Sequence, residues 1–287
     1  MASWHKRAYG VLAAIIAAAV MVSGLAAQTT TGAVSLEQYQ LVGQPRKIDK
    51  VPDNASGLTY SPVTGTLFLV VNKPCLVVEI ALDGTTRRIV ELKGFDDTEC
   101  ITHVTGATFI VGEERRGNLC RVKIGKQTSS IRYDSSEVAK LFVEGDANNR
   151  GLEGLCYSPA GRRIYCVKEG DPRRLYEISG TPDRSTNPPR AKYRHPWDLQ
   201  KASLGMADLS GMFFDVKTGH LLMLSHESHC VVEATVDGKE IGRLKLTKGH
   251  ANLAGDVQQP EGIAMDGEGT LYICSEPNLL YVFKKKP

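Results

Sequence analysis

The sequence has little net charge of either sign. Its 287 residues include 35 Lys and Arg against 32 Asp and Glu. The one basic block is Lys284, Lys285 and Lys286, at the C-terminal end. Because nucleic-acid binding needs a concentrated basic surface, the charge pattern gives no reason to expect a nucleic-acid partner.

Motifs of several enzyme classes are also missing. The chain has no G-x-S-x-G nucleophile elbow, no phosphate-binding Walker loop and no dinucleotide-binding glycine fingerprint. Two histidines stand three residues apart in His226-Glu227-Ser228-His229, but this is not the H-E-x-x-H pattern of zinc proteases. No pair of cysteines has the C-x-x-C spacing of a zinc site, so zinc chemistry is not predicted.

Seven cysteines follow residue 27, and this odd number leaves at least one thiol free unless two chains are linked. They are Cys75, Cys100, Cys120, Cys156, Cys166, Cys230 and Cys274. Cys156 and Cys166 flank a short turn, so a cross-strand disulfide between them is possible. The alternative is that most of the seven are small buried hydrophobic residues.

Residues 1–27 have the pattern of an export signal. A short basic stretch, His5 to Arg7, precedes an uncharged apolar run from Val11 to Val22, and small residues up to Ala27 offer a cleavage site before Gln28. Residues 8–27 are also just long enough to span a bilayer, so an uncleaved membrane anchor is the alternative. Either reading places residues 28–287 outside the cytoplasm as one domain, in the periplasm, secreted or held at the cell membrane.

The rest of the chain contains five copies of one β-rich repeat. Each copy begins with an acidic or small residue, usually followed by Gly and apolar residues, and continues through a turn into a second and a third strand. The copies start at Ser56, Glu99, Glu153, Ser210 and Glu261, 43 to 57 residues apart. This spacing is near that of propeller blades, which pack around a central axis. The sequence therefore predicts an all-β, five-bladed β-propeller.

The two ends of the chain predict how the ring closes. The last copy stops after its third strand, near Phe283, and lacks a fourth. The run from Gln38 to Ile48 precedes the first copy and has no blade of its own. Supplied as the outer strand of the last blade, it would close the ring and cover an exposed sheet edge.

Aligning the copies gives two columns of polar residues. The first column, at the start of each innermost strand, is Ser56, Glu99, Glu153, Ser210 and Glu261. The second column, after each second strand, is Lys73, Glu114, Glu169, Glu227 and Glu276. These positions lie at the same end of an antiparallel blade, so seven carboxylates and one lysine are expected around one mouth of the channel.

Carboxylates held this close repel one another unless something offsets their charge. A calcium ion with oxygen ligands would do so, and Glu99, Glu153 and Glu261 are the predicted ligands. The second column, with Ser56 and Ser210, is predicted to support that ion or bind a ligand. Ion pairs with Lys73, Arg115 or Arg150 are a second way to offset the repulsion. Raised pKa values, which keep some of the carboxyl groups protonated, are a third.

A string of motifs resembles one known family. The motifs are Asn72-Lys73-Pro74, Gly112-Glu113-Glu114-Arg115, Gly151-Leu152-Glu153-Gly154-Leu155 with Tyr157-Ser158, Lys168-Glu169, Leu224-Ser225-His226-Glu227-Ser228, Leu246-Thr247-Lys248-Gly249, Glu261-Gly262 with Ala264-Met265-Asp266, and Ser275-Glu276-Pro277-Asn278. In this order, over about residues 50–283, they resemble the SdiA-regulated, YjiK-like propellers of bacteria. The resemblance implies a five-bladed propeller behind a signal peptide or anchor, with a bound calcium ion, and brings no established activity. Cys100 departs from the repeat, which favours Gly or Thr there.

Two functions follow as expectations. The first is an extracytoplasmic calcium-binding propeller that serves as a binding or scaffold module for an unidentified protein or small molecule. The second is a calcium-dependent hydrolase of lactones, esters or phosphotriesters. The sequence aligns only His103 and His226 near the mouth and shows no clear histidine–carboxylate pair there, which favours the binding module.

Overall fold

The chain forms five small, mainly antiparallel sheets arranged as blades around one axis, which confirms the predicted propeller. The computed structural model describes residues 32–141, 151–169, 173–180, 185, 187, 189–199, 201–202 and 204–286. The innermost strands are β3 (Ala55–Ser61), β7 (Thr98–Thr105), β12 (Leu152–Ser158), β16 (Gly211–Asp215) and β20 (Pro260–Met265). Each contacts the innermost strand of the next blade, and β20 contacts β3, so the ring is closed.

The next strands of each blade lie progressively farther from the axis. The second strands are β4 (Thr66–Val71), β8 (Thr108–Glu113), β13 (Arg163–Lys168), β17 (His220–Ser225) and β21 (Leu271–Ser275). The third strands are β5 (Leu76–Ile80), β9 (Asn118–Lys123), β14 (Arg174–Ile178), β18 (Cys230–Ala234) and β22 (Leu279–Lys285). The outer strands of blades one to four are β6 (Thr86–Lys93), β11 (Glu137–Lys140), β15 (Tyr193–Arg194) and β19 (Glu240–Lys245).

Blade five takes its outer strand from the start of the chain, as the sequence predicts. Strand β1 (Tyr39–Leu41) pairs antiparallel with β22, with Leu41 opposite Phe283. The short strand β2 (Arg46–Lys47) continues this edge and also pairs with β22. A 3₁₀ turn at Leu36–Gln38 precedes β1 and buries Leu36 in the core between blades four and five.

Blade one carries a fifth strand that the sequence did not predict. Strand β10 (Ser130–Arg132), from the connection inside blade two, pairs in parallel with β6, and a 3₁₀ turn at Tyr133–Ser135 leads back to β11. Arg88 of β6 donates to the carbonyl oxygens of Gly125 and Thr128 at 2.7 and 3.1 Å. Glu79 holds the Arg88 guanidinium at 2.5 Å. This segment ties blade two to the edge of blade one.

Glycine allows the innermost strands to pack closely at the axis. A Cβ built on Gly262 would lie 2.6 Å from the carbonyl oxygen of Ser56 and 2.5 Å from Cys274 Sγ. In blade two the two residue types are exchanged: Cys100 occupies the glycine column of the inner strand, and its partner across the ladder is Gly112. Cys100 therefore fits because the adjacent strand supplies the missing space.

We expect Gly262→Ala to lower the free energy of unfolding by roughly 1–3 kcal/mol, because the added methyl overpacks the axis against fixed backbone. Gly267→Ala is the matched control, since nothing lies within 4 Å of a Cβ at that position. Denaturant unfolding of both variants measures the difference. Equal stabilities would show that the glycine column does not reflect close packing.

All seven cysteines are free thiols, and six are buried. The cross-strand disulfide that the sequence allowed between Cys156 and Cys166 is absent, because the strands place the two side chains on opposite faces of the blade. Cys156 lies opposite Tyr165, one residue away from Cys166, and the two thiols belong to different core clusters. The buried-hydrophobe interpretation accounts for these thiols.

Residues 1–27, with the predicted export signal or anchor, lie outside the described residues, as does Arg150. Within the described part of the chain, no helix is long and apolar enough to cross a membrane.

Candidate functional site

β-bulges set the orientation of the first-column acids. Thr98 pairs with Glu113 and Cys100 with Gly112, so Glu99 is an extra residue on the inner strand. The same irregularity occurs at Glu153 and at Glu261. Because a bulge interrupts the alternation of side chains, it re-aims the residue it contains. All three acids lie at the end of the ring where their strands begin.

Glu114 lies at the centre of the carboxylate cluster. It is 4% exposed, and its Oε1 accepts a hydrogen bond from the Gly151 amide at 2.7 Å. Its carboxylate belongs to two groups of three, in each of which one ligand atom per residue lies within 4.8 Å of the others. The groups are Asp97, Glu99 and Glu114, and Glu114, Glu153 and Glu169. The predicted columns thus meet in blades two and three.

Asp97 is a member of this cluster that the columns did not include. It stands two residues before Glu99 and is 2% exposed. Arg115 Nε lies 2.9 Å from Asp97 Oδ2, so this arginine pairs with an acid outside the two predicted columns. The Arg115 guanidinium thus contacts one of the five acids in the two carboxylate groups.

Blades four and five form the other half of the mouth. His226 Nδ1 lies 3.5 Å from Glu261 Oε1. Asp208, 3% exposed, accepts hydrogen bonds at Oδ1 from the Glu227 amide at 3.0 Å and from the Ser225 hydroxyl. Its Oδ2 is buried and has no hydrogen-bond partner among the described residues. Sequence reasoning missed Asp208 and did not expect the histidine–carboxylate contact.

The second column is shifted by one residue in two blades. The first residue after each second strand faces the mouth, and in blades one and four that residue is Asn72 or His226. Asn72 Nδ2 donates to Glu99 Oε1 at 2.7 Å. Lys73 and Glu227 follow one residue later and are exposed. Lys73 forms no ion pair within the described chain, so the predicted pairing with a mouth acid is absent.

The remaining predicted residues have distinct positions. Ser56 lies in the bulge of β3, beside Glu99, and its hydroxyl donates to the Asn54 carbonyl oxygen at 3.4 Å. Ser210 Oγ donates to the Pro260 carbonyl oxygen at 2.6 Å and so links blades four and five. Glu276 faces Glu261. The expectation that His103 lies near the mouth is wrong, because it contacts Gly106 at the opposite end of β7.

The mouth carboxylates have raised pKa values. Burial, and then the charges of Glu276 and Glu99, raise the pKa of Glu261 to about 9. Burial raises the pKa of Glu99 to about 7, against hydrogen bonds from Asn72 and Ser56 that lower it. The pKa of Glu153 is well above its usual range, first through burial and then through its acidic neighbours. Burial also raises the pKa values of Glu114 and Glu276. The folded mouth therefore favours protons or another cation.

In a chelator, we expect the unfolding temperature to fall as the pH rises from 5.5 to 9. The folded-state pKa values of Glu99 and Glu261 exceed the usual value of 4.5. Their contribution to stability is therefore complete below about pH 4.5 and is lost as the pH passes through about 7 and about 9. Calorimetric scans across this range measure the slope. A double variant, Glu99→Gln and Glu261→Gln, should flatten it, and an equal slope in both proteins would contradict this assignment.

The channel beneath the acids is nearly closed. The innermost strands leave a cavity of about 10 Å³, lined by Gly57, Gly154, Gly211, Gly262 and their neighbours. This volume holds at most about one water molecule. A ligand of the acidic residues must therefore approach from the mouth.

Solved structures with the same fold share little sequence with this chain. Glutaminyl cyclase from Myxococcus xanthus has a TM-score of 0.58 at 14% identity, covering 86% of this chain and 95% of that one. Regucalcin from Agrobacterium tumefaciens, described as a calcium-binding protein, has a TM-score of 0.52 at 16% identity, covering 84% of this chain and 94% of that one. A protein of unknown function from Bacteroides thetaiotaomicron has a TM-score of 0.53 at 14% identity, covering 86% and 73%. At these identities the similarity shows the propeller fold alone.

A family match identifies the chain more specifically. The family model described as SdiA-regulated matches residues 31–284, which include the closing strand and all five blades. The resemblance that the motifs indicate is thereby confirmed. The chain belongs to the SdiA-regulated family.

Proposed function

We propose that this protein is an extracytoplasmic calcium-binding propeller whose acidic mouth presents the ion and a ligand-binding surface. The observation that carries the proposal is the convergence on Glu114 of two three-carboxylate groups. The donors in both groups are carboxylate oxygens, which are the ligands calcium prefers. The predicted export signal in residues 1–27 supports the extracytoplasmic location. Extracellular modules bind calcium with dissociation constants of about 10⁻⁴–10⁻³ M, which is the range expected for this site.

The excess of negative charge at the mouth supports the binding of a cation there. Arg115 contacts Asp97, but no arginine or lysine lies within ion-pair distance of Glu99, Glu114, Glu153 or Glu261 in the described chain. Buried carboxylates that lack a counter-charge are costly even when they accept hydrogen bonds, and a bound divalent cation offsets that cost. Glu114 and Glu153 are the ligands that this geometry favours most, with Glu99 and Glu169 beside them. Glu261 belongs to neither three-carboxylate group and contacts His226 instead.

Calorimetric titration with calcium tests the proposal. We expect binding to the full-length chain, and at least a tenfold loss of affinity in Glu114→Gln and in the double variant Glu153→Gln, Glu261→Gln. Glu227→Gln is the matched control, because this exposed acid lies one residue beyond the mouth. No binding by the parent chain, or equal affinity in all variants, would show that the mouth is not a calcium site.

A calcium-dependent hydrolase is the second candidate, and the contact of His226 with Glu261 favours it. A histidine held by a carboxylate can act as a general base when a substrate reaches it. His226 is partly exposed, with 33% of its side chain accessible. Lactones, aryl esters and phosphotriesters, assayed with calcium and with a chelator, distinguish the candidates. Turnover that needs both calcium and His226 favours the hydrolase, and binding without turnover favours the module.

A further inference from the structure

A second concave site lies on the face opposite the acidic mouth. It encloses about 410 Å³ between blades four and five. The turns that carry Lys217 and Glu268 join an innermost strand to its second strand, so they lie at the other end of the strands from Glu261. A pocket of this size suits a small organic ligand.

Three lysines line this pocket: Lys217, Lys284 and Lys285. Lys217 Nζ donates to the Gly267 carbonyl oxygen at 2.7 Å, and the Lys285 ammonium lies 5.9 Å from the centre of the Tyr39 ring. These contacts hold two ammonium groups at the pocket without neutralising them. Within the described residues, none of the three lysines forms an ion pair with a carboxylate.

Two carboxylates also line the pocket, and they differ in burial and in hydrogen bonding. Asp215 is buried and accepts hydrogen bonds from the Thr218 hydroxyl at 2.7 Å and from the amides of Thr218 and Lys217 at 3.1 and 3.2 Å. Its oxygens are thus occupied by its own turn. Glu268 is exposed on the neighbouring turn. Counted against both carboxylates, the three lysines leave one excess positive charge in the pocket lining.

The other side chains of the pocket are largely apolar. Val34, Tyr39 and Met265 are buried core residues that also reach the pocket. The Tyr39 hydroxyl donates to the Gly269 carbonyl oxygen at 2.7 Å. The pocket therefore combines separate ammonium groups with an apolar surface.

We propose that this pocket binds the phosphate group of a small organic phosphate or of an anionic lipid headgroup. A phosphate offers oxygens to several ammonium groups at once, and lysine binds it as a point charge. Val34 and Met265 provide contact area for the carbon portion. The site is independent of the acidic mouth and carries the opposite charge.

The test uses the full-length chain in nonionic detergent. In one arm, inorganic phosphate and glycerol 3-phosphate are titrated calorimetrically. In the other arm, the detergent micelles contain either phosphatidylglycerol or phosphatidylcholine. The pocket variant carries Lys217→Gln, Lys284→Gln and Lys285→Gln. The control variant carries the same charge change at three exposed lysines outside the pocket, Lys123→Gln, Lys126→Gln and Lys248→Gln.

We expect at least a tenfold loss of affinity in the pocket variant and less than a twofold loss in the control. Loss in the soluble arm identifies a small organic phosphate as the ligand class, and loss only with phosphatidylglycerol micelles identifies a lipid headgroup. No binding by the parent in either arm, or equal affinities of the two triple variants, would overturn the proposal.

Discussion

Deleting residues 28–49 should abolish cooperative folding of the propeller. This segment contains β1 and β2, the outer strand of blade five, and buries Leu36, Tyr39 and Ile48. Each such side chain contributes about 1.5–3 kcal/mol through burial alone. Their sum approaches the typical stability of a whole domain, about 5–15 kcal/mol. The deletion also leaves the hydrogen-bonding edge of β22 without a partner.

Single substitutions make this prediction quantitative. Leu36→Ala should lower the free energy of unfolding by about 2–5 kcal/mol, because Leu36 is fully buried between blades four and five. Val42→Ala, in the same segment but 51% exposed, should change it by less than about 0.5 kcal/mol. Thermal and denaturant unfolding measure both effects. A deleted chain with an unchanged transition would mean that the N-terminal segment does not close the ring.

At a free calcium concentration one hundred times the dissociation constant, calcium should raise the unfolding temperature of the parent chain by roughly 5–10 °C. Binding to the folded state alone stabilises it by about 2.7 kcal/mol under these conditions, and a domain of this size gains about 2–4 °C per kcal/mol. The gain should be larger at pH 8 than at pH 6, because calcium competes with protons for carboxylates whose pKa values are raised.

Glu114→Gln should remove most of this gain, since Glu114 is common to both three-carboxylate groups. Glu227→Gln should keep it, because Glu227 is exposed beside the mouth. Calorimetric scans with calcium and with a chelator provide the comparison. An equal calcium response in the two variants would place the ion elsewhere in the protein.

The sequence predicted the inner three strands of each blade because these carry the apolar runs and turn residues. The outer strands were harder to recognise. Two of them are short and polar, Glu137–Lys140 and Tyr193–Arg194. Strand β10 pairs in parallel with a strand of another blade, and no local sequence pattern encodes such a pairing. The closing strand was predictable because the last copy lacked a partner for its third strand.

The sequence predicted most of the acids that form the candidate site. It did not predict which residue at each strand end faces the mouth. Glu99, Glu153 and Glu261 align from the repeats, but their bulges set the geometry, and a bulge has no clear signature here. Asp97 and Asp208 each stand two residues before a first-column position, so one more aligned column would have found them. The one-residue shift of the second column in blades one and four depends on where each strand ends.

The position of calcium in a crystal structure tests the central claim most directly. In crystals grown with calcium, we predict an ion at the mouth with oxygens of Glu114 and Glu153 at about 2.3–2.6 Å. Its anomalous signal distinguishes it from water. A mouth that contains only water at saturating calcium, or an ion bound away from both residues, would contradict the proposed function.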